Sequence, residues 1–325
     1  MTNDMTTLDL HRLTTRHLLR ISDLTSTEIL RLLLLAAQLK RDLKPFGGAF
    51  SQRSLAMLFE KPSLRTRVSF EAGFQKLGGG VVFIDHTTSR IGERESVEDT
   101  AQNLSRWVDA VVIRCISHDL LTRFAAVSDV PVINALSDRH HPCQALADLA
   151  ALAEYGVDPL HANIAWVGDG NNVCNSLIEM VATLGGRLQV ITPHSCRPSD
   201  EVLQVAAARA FRSGATIACT DDLSAVEGVD AVYTDVWVSM GESGDHEAKM
   251  TRLRPYQVNA GLMDRAGPQA RFMHCLPAHR GEEVTADILD GPRSITLDQA
   301  EFRMHAQNAL LLSLLRPDIV LRKSI

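Results

Sequence analysis

The feature that most constrains this chain is a regular alternation of short apolar runs with amphipathic stretches of helix length. The runs are Ser54–Phe59, Val81–Asp85, Ala110–Arg114, Val132–Ala135, Ile164–Gly168, Leu188–Thr192, Thr216–Cys219, Ala231–Thr234 and Phe272–Cys275. Between them lie helical patterns such as Ser96–Val108, Gln144–Tyr155, Asn175–Leu184 and Glu201–Phe211. A strand that is apolar along its whole length must be covered on both faces, and parallel neighbours need crossovers of a dozen or more residues. The alternation therefore predicts an α/β fold with parallel sheets. Four runs precede Gln144 and five follow it, and 325 residues exceed one ordinary core. The expectation is two doubly wound parallel-sheet domains, 1–148 and 149–298, joined by helices. Asp298–Leu315 breaks the alternation, so the segment 299–325 is expected to be a C-terminal helix packing back on the first domain.

Composition narrows the function classes. A formal net charge of −6 argues against a nucleic-acid partner, although a local basic pocket for a small anion stays open. The six cysteines are scattered and never spaced C-x-x-C, which suits reduced thiols in a cytoplasmic protein. No apolar run approaches the roughly 18 residues of a membrane span. The stretch Met1–Arg20 mixes Asp4 and Asp9 with Arg12, Arg16 and Arg20, so it reads as a mobile surface arm rather than a targeting segment.

In open parallel sheets, ligands sit beyond the carboxyl ends of the strands. Glu60-Lys61-Pro62-Ser63-Leu64-Arg65-Thr66-Arg67 leaves the first run and enters a helical pattern. Hydroxyls and guanidiniums at a helix start suit an oxyanion, because free N–H groups and the helix dipole already favour negative charge. The plainer alternative is an N-capping Ser63 followed by solvated arginines. Arg114 ends a buried run and either points into the ligand crevice or reaches to solvent. In His140-His141-Pro142-Cys143-Gln144 the proline suits a first helical turn, leaving His141 and Gln144 to hydrogen-bond a carbonyl and an amide. Together with His274, Cys275 and His279 these histidines mimic a metal cluster, but the spacing matches no zinc pattern. Gly168-Asp169-Gly170-Asn171-Asn172 lacks the third glycine of a dinucleotide loop and reads as a tight strand-to-helix turn. Asp235 could receive an ammonium or merely cap a turn. Cys275 could orient a reacting amine or simply fill a small buried space.

Taken together, the segment with Ser63-Leu64-Arg65-Thr66-Arg67, His141-Pro142-Cys143-Gln144, Asp235-Val236-Trp237-Val238-Ser239-Met240-Gly241 and His274-Cys275-Leu276-Pro277 resemble, in order, the motifs of the ornithine carbamoyltransferase family. The likeness runs from His17-Leu18-Leu19 to the final helix. It implies a carbamoyl-phosphate-binding first domain and an ornithine-binding second domain. It implies that Ser63, Leu64, Arg65, Thr66, Arg90, Arg114, His141, Gln144, Cys275, Leu276 and Arg303 bind carbamoyl phosphate. Asn172, Asp235, Ser239 and Met240 would bind ornithine, and Arg114, His141, Asp235 and Cys275 would carry the catalysis. The family needs no cofactor or metal, and it is typically a trimer whose sites borrow residues from the adjacent subunit.

Four positions depart from the family pattern. Leu64 replaces a commoner threonine, leaving the backbone N–H in place. Arg90 stands where many relatives have a glutamine reaching into the neighbouring site. Phe302 and Asn308 flank Arg303-Met304-His305 where Asn and Lys are more usual. The rival readings are a carbamoyltransferase for another amine, an NAD-dependent oxidoreductase built on Gly168-Asp169-Gly170, and a catalytically dead binding protein. The oxidoreductase lacks both its third glycine and the acidic residue about twenty positions on.

Overall fold

A computed structural model of the protein describes residues 7–9, 13–238, 244–318 and 320–322. The chain divides into two compact units, one of Met1–Leu146 with Arg303–Ile325 and the other of Ala147–Phe302.

In the first unit, β1 (Thr7–Asp9) pairs antiparallel with the last strand of the chain. Then follow α1 (Ser26–Arg41), β2 (Ser54–Phe59), α2 (Leu64–Lys76), β3 (Gly80–Asp85), α3 (Val97–Leu104), β4 (Ala110–Arg114), α4 (His118–Val127), β5 (Val132–Leu136) and the first residues of α5 (Pro142–Glu154). Strands β2 to β5 form a parallel sheet in the order β3-β2-β4-β5. The core beneath it joins Ala56 and Leu58 of β2 and Val111 and Ile113 of β4 to Ala101, Leu104, Leu121 and Phe124 of the covering helices. Burial of each of the larger side chains among these contributes about 1.5–3 kcal/mol. The chain leaves β2 toward β3 on one side and leaves β4 toward β5 on the other. The topological switch point, where such sheets bind ligands, is thus between β2 and β4.

Residues 13–20 are not a mobile arm. Leu18 is fully buried and bridges Ile133 in parallel, its N–H donating to Val132 O at 3.0 Å and its carbonyl accepting from Asn134 N at 2.8 Å. Two apolar positions, Leu18 and Ile21, outweigh the charges around them, and the backbone of β5 offers an unpaired edge to cover.

The second unit takes up the rest of α5 and continues through β6 (Asn163–Val167), α6 (Asn172–Leu184), β7 (Arg187–Ile191), α7 (Asp200–Ser213), β8 (Thr216–Thr220), β9 (Ala231–Thr234), α8 (His246–Leu253), α9 (Ala260–Ala266), β10 (Arg271–His274) and α10 (Ala286–Leu289). Its five parallel strands run β10-β9-β6-β7-β8, so the switch point lies between β6 and β9. Gly168 at the end of β6 has φ +124, and a Cβ on Gly170 would come within 2.5–2.6 Å of the backbone of Pro198 and Cys196. These glycines are required by the turn and its packing, as expected of a strand-to-helix connection.

The last helix, α11 (Thr296–Leu315), begins in the second unit and from Arg303 onward belongs to the first, ahead of β11 (Val320–Arg322). Arg316 at its end donates to Ala49 O at 2.6 Å, and Asn308 lies where a Cβ on Gly73 of α2 would be 2.6 Å from its Oδ1. The shorter side chain at 308 and the bare glycine let the two helices pack closely.

Candidate active site

The site residues of the first unit gather beyond β2 and β4. Ser63 caps α2, its hydroxyl accepting the Thr66 N–H at 3.3 Å. That cap aims the first turn of a 13-residue helix, with Leu64 and Arg65 at its start, out past the strand ends. Leu64 is 75% exposed, and its backbone N–H lies in the first turn of α2. At the centre is Arg303, buried on α11. Its Nη1 donates to Gln144 Oε1 at 2.7 Å and faces His141 Nε2 at 3.4 Å, while Nη2 donates to Thr66 Oγ1 at 3.2 Å. Pro142 starts α5 and places His141 just before it, with Gln144 in its first turn.

Burial, reinforced by the positive charges of Arg303 and Arg114, pushes the His141 imidazole well below its ordinary pKa. The ring is therefore neutral. A guanidinium can only donate, so Nε2 accepts from Arg303 and the ring proton sits on Nδ1. Arg114, itself buried at the end of β4, is close enough to contribute to that shift. The structure thus brings together Thr66, Arg114, His141, Gln144 and Arg303, with Ser63 supporting Thr66. Arg90 stands apart on an exposed loop, where its backbone N–H donates to Glu93 Oε2 at 2.9 Å.

In the second unit Asp235, just beyond β9, is the hub. Its Oδ1 accepts from the Cys275 thiol at 3.0 Å and from Val236 N at 2.8 Å, and its Oδ2 accepts from Asn171 Nδ2 at 2.7 Å. Asn171 also caps α6 through Oδ1, which accepts from Val173 N and Cys174 N. Asn171 thus touches Asp235 across the switch point, and Asn172, the expected ornithine contact, follows it as the first residue of α6. Ser239, Met240 and Gly241 lie outside the described residues.

The Cys275-Leu276 turn is held from behind. Leu276 has φ +59, unusual for a residue with a Cβ, and its N–H donates to His274 Nδ1 at 2.9 Å. His274 is fully buried and carries its proton on Nε2, which faces Glu283 Oε1 at 3.2 Å. Glu283 also accepts the His279 N–H. Burial works against ionisation of Glu283, but the bonds from His274 and His279 outweigh it and hold its carboxyl below the usual range. Further support comes from Gln299, whose Oε1 accepts the His274 N–H at 3.0 Å and whose Nε2 donates to the buried Asp148 at 2.8 Å. Asp235, His274 and Cys275 lie close enough together to suggest a cation site. Both ring nitrogens of His274 and both oxygens of Asp235 are already committed to hydrogen bonds within the protein, which does not suit a metal.

Two parallel sheets with anion-suited side chains at one switch point and a carboxylate–thiol–amide group at the other define the class. The aspartate/ornithine carbamoyltransferase carbamoyl-P binding domain family matches residues 16–154, and the Asp/Orn binding domain of the same enzymes matches residues 161–314. The chain is 48% identical to the ornithine carbamoyltransferase of Shewanella oneidensis over 92% of its own length and 99% of that protein. It is 43% identical to that of Bacillus subtilis over 92% of this chain and 94% of that protein. Among solved structures, the ornithine carbamoyltransferase of Thermus thermophilus superposes with a TM-score of 0.83 at 42% identity, covering 93% of this chain and 99% of that one. The anabolic enzyme of Campylobacter jejuni gives 0.88 at 36% identity, covering 92% and 99%. The chain belongs to the ornithine carbamoyltransferase family.

Proposed function

We propose that this protein transfers the carbamoyl group of carbamoyl phosphate to the δ-amine of L-ornithine, giving L-citrulline and phosphate. The observation that carries the reading is the buried Arg303 guanidinium converging with Thr66, Gln144 and neutral His141 beyond the β2/β4 switch point. A planar fork of donors at a helix start matches phosphate oxygens. In this reading Ser63, the Leu64 backbone, Arg65 and Thr66 hold the phosphate, with Arg90 at the margin. Arg114, His141 and Gln144 hold the carbamoyl group, with Arg303 beside them. Asn172, Asp235, Ser239 and Met240 receive the amino acid, Cys275 and the Leu276 backbone meet the carbamoyl group at the reacting centre, and Asp235 and Cys275 orient the reacting amine.

The neutral δ-amine attacks the carbamoyl carbon, a C–N bond forms, the C–O bond to phosphate breaks with its electron pair leaving on phosphate, and the new C–N nitrogen gives up its extra proton to the departing phosphate. Arg65, Arg114 and Arg303 neutralise that leaving group. Charge growing on the carbonyl oxygen is met by positioned donors, the Nδ1–H of His141 among them, each worth about 2.7–4 kcal/mol of barrier. A free alkylamine has a pKa of about 10.4, so neutral amine is scarce at pH 7 and turnover should rise toward alkaline pH. No described helix is long and apolar enough to cross a membrane. The reading places the enzyme in the cytoplasm, in arginine biosynthesis, as a trimer. Exposed Leu64 and Val68 on α2 and Val82 on β3 support that assembly, since β3 is the open edge of its sheet.

The test is citrulline formation by purified protein with carbamoyl phosphate and L-ornithine, set against putrescine, N-acetylornithine and aspartate. Turnover with L-ornithine alone is expected. Preference for another amine would overturn the assignments in the second unit, and no turnover with any would remove the reading altogether.

A further inference from the structure

The loop that follows β10 gathers a second set of side chains that the chemistry just described leaves unused. His279, Glu282 and Glu283 each turn one ligand-type atom toward a common point, all three within 4.8 Å of one another. His279 Nδ1 lies 3.4 Å from Glu282 Oε2 and 3.9 Å from Glu283 Oε2. His279 and Glu282 are half exposed, whereas the Glu283 side chain is fully buried. Glu283 Oε1 faces His274 and accepts the His279 N–H, but Oε2 accepts no hydrogen bond among the described residues. A buried carboxylate oxygen without a donor is rare in folded proteins, and an ion beside it is one recurrent reason. The turn is pinned from its other side. Gln257 Nε2 donates to Gly281 O at 2.9 Å and to Glu282 O at 2.8 Å, and Val258 N donates to Glu283 O at 2.9 Å. Arg280, the cation within the turn, is paired with Asp290 at 2.6 Å.

We infer that His279, Glu282 and Glu283 form a binding site for a divalent cation of the first transition row, apart from the reacting groups. A cation roughly 2.0–2.2 Å from each ligand atom would draw the three to about 3 Å of one another. Small rotations of the two half-exposed side chains achieve that. Two carboxylates and one imidazole, with no thiolate, suit Mn2+, and water fills the positions on the open side. Ligating carboxylates are themselves held by hydrogen bonds, and Glu283 already has them, from His274 and the His279 N–H to its other oxygen. His274 in turn accepts the Leu276 N–H through Nδ1 at 2.9 Å. A cation on Glu283 therefore braces the Cys275-Leu276 turn from behind.

The probe is Mn2+ alone, added to the full chain and followed by loss of the free ion's electron paramagnetic resonance signal, which needs neither substrate nor turnover. Its preference for oxygen over sulfur keeps the cysteines from competing. Wild-type protein is expected to bind one Mn2+ per chain at submillimolar concentration, with a rise in thermal midpoint. His279→Ala and Glu282→Gln, each checked for wild-type circular dichroism, should weaken binding at least tenfold and lose that rise. Amide hydrogen exchange across residues 274–276 should slow with Mn2+ in the wild type and stay unchanged in His279→Ala. Wild-type protein that leaves the free signal intact would overturn the site, as would binding that both variants retain. Binding at this site without slower exchange at 274–276 would overturn the bracing. Neither result depends on whether the protein makes citrulline.

Discussion

Arg303 shows how much one side chain can be asked to do. Its guanidinium reaches Thr66, Gln144 and His141 at once, and its charge helps keep the imidazole neutral. Lysine carries the same charge on a single rotating point and cannot reproduce three directed contacts. Arg303→Lys should therefore lower kcat/KM for carbamoyl phosphate by about a hundredfold, on the scale of one lost oxyanion donor. Steady-state kinetics at saturating ornithine decide the matter, and a loss below threefold would remove Arg303 from the reaction. Residue-level contacts of this kind were only partly legible in the sequence. Arg65, Thr66, His141, Gln144, Asp235 and Cys275 stand in motifs that spell their chemistry. Glu60, whose carboxylate accepts from Ile91 N and Ile116 N, does not, because a carboxylate turned inward onto backbone N–H groups has no signature distinct from one turned to solvent. Leu276 likewise gave no hint of a left-handed backbone, which goes with its N–H turning back onto the His274 ring two residues earlier.

At the level of elements, the turn between β5 and α5 carries the clearest pH dependence. His118 and His140 stack edge to face with ring centroids 5.0 Å apart, His118 Nδ1 lies 2.9 Å from Ser137 Oγ, and His141 follows at once. Burial pushes His140 down to about 3, helped by His118, Arg20 and Arg139, and burial lowers His118 against the opposing pull of Asp138. Above about pH 6.5 these rings are neutral both folded and unfolded, so nothing is lost. Below that value the unfolded chain takes up protons the folded chain refuses, and stability falls by up to about 1.4 kcal/mol per pH unit for each such ring. Urea midpoints should hold steady from pH 8 to 7 and drop between 6.5 and 5, and a flat profile there would refute the assignment. The elements themselves were read well, for a physical reason. Buried parallel strands must be apolar along their length, and β2, β4 and β9 begin and end where their apolar runs do. The apolar period places the start of α6 at Asn175, whereas the helix begins at Asn172, because polar caps and first turns lie outside that period. The segment around Leu18 was misread because one apolar residue covering a sheet edge makes no periodic pattern.

For the whole molecule, the proposed trimer gives a direct expectation. Light scattering on purified protein should return about three times the 35.7 kDa of one chain, and a monomeric mass with full turnover would discard the trimer. A further consequence comes from the way the site residues are shared out. Thr66, Arg114, His141, Gln144 and Arg303 all fall in one compact unit, while Asn171, Asp235 and Cys275 all fall in the other. In the proposed reading, most residues that would hold the carbamoyl donor and those that would receive the amine therefore lie in separate stretches of the gene. Changes between Ala147 and Phe302 alone could then shift the acceptor while Thr66, Arg114, His141, Gln144 and Arg303 stay as they are.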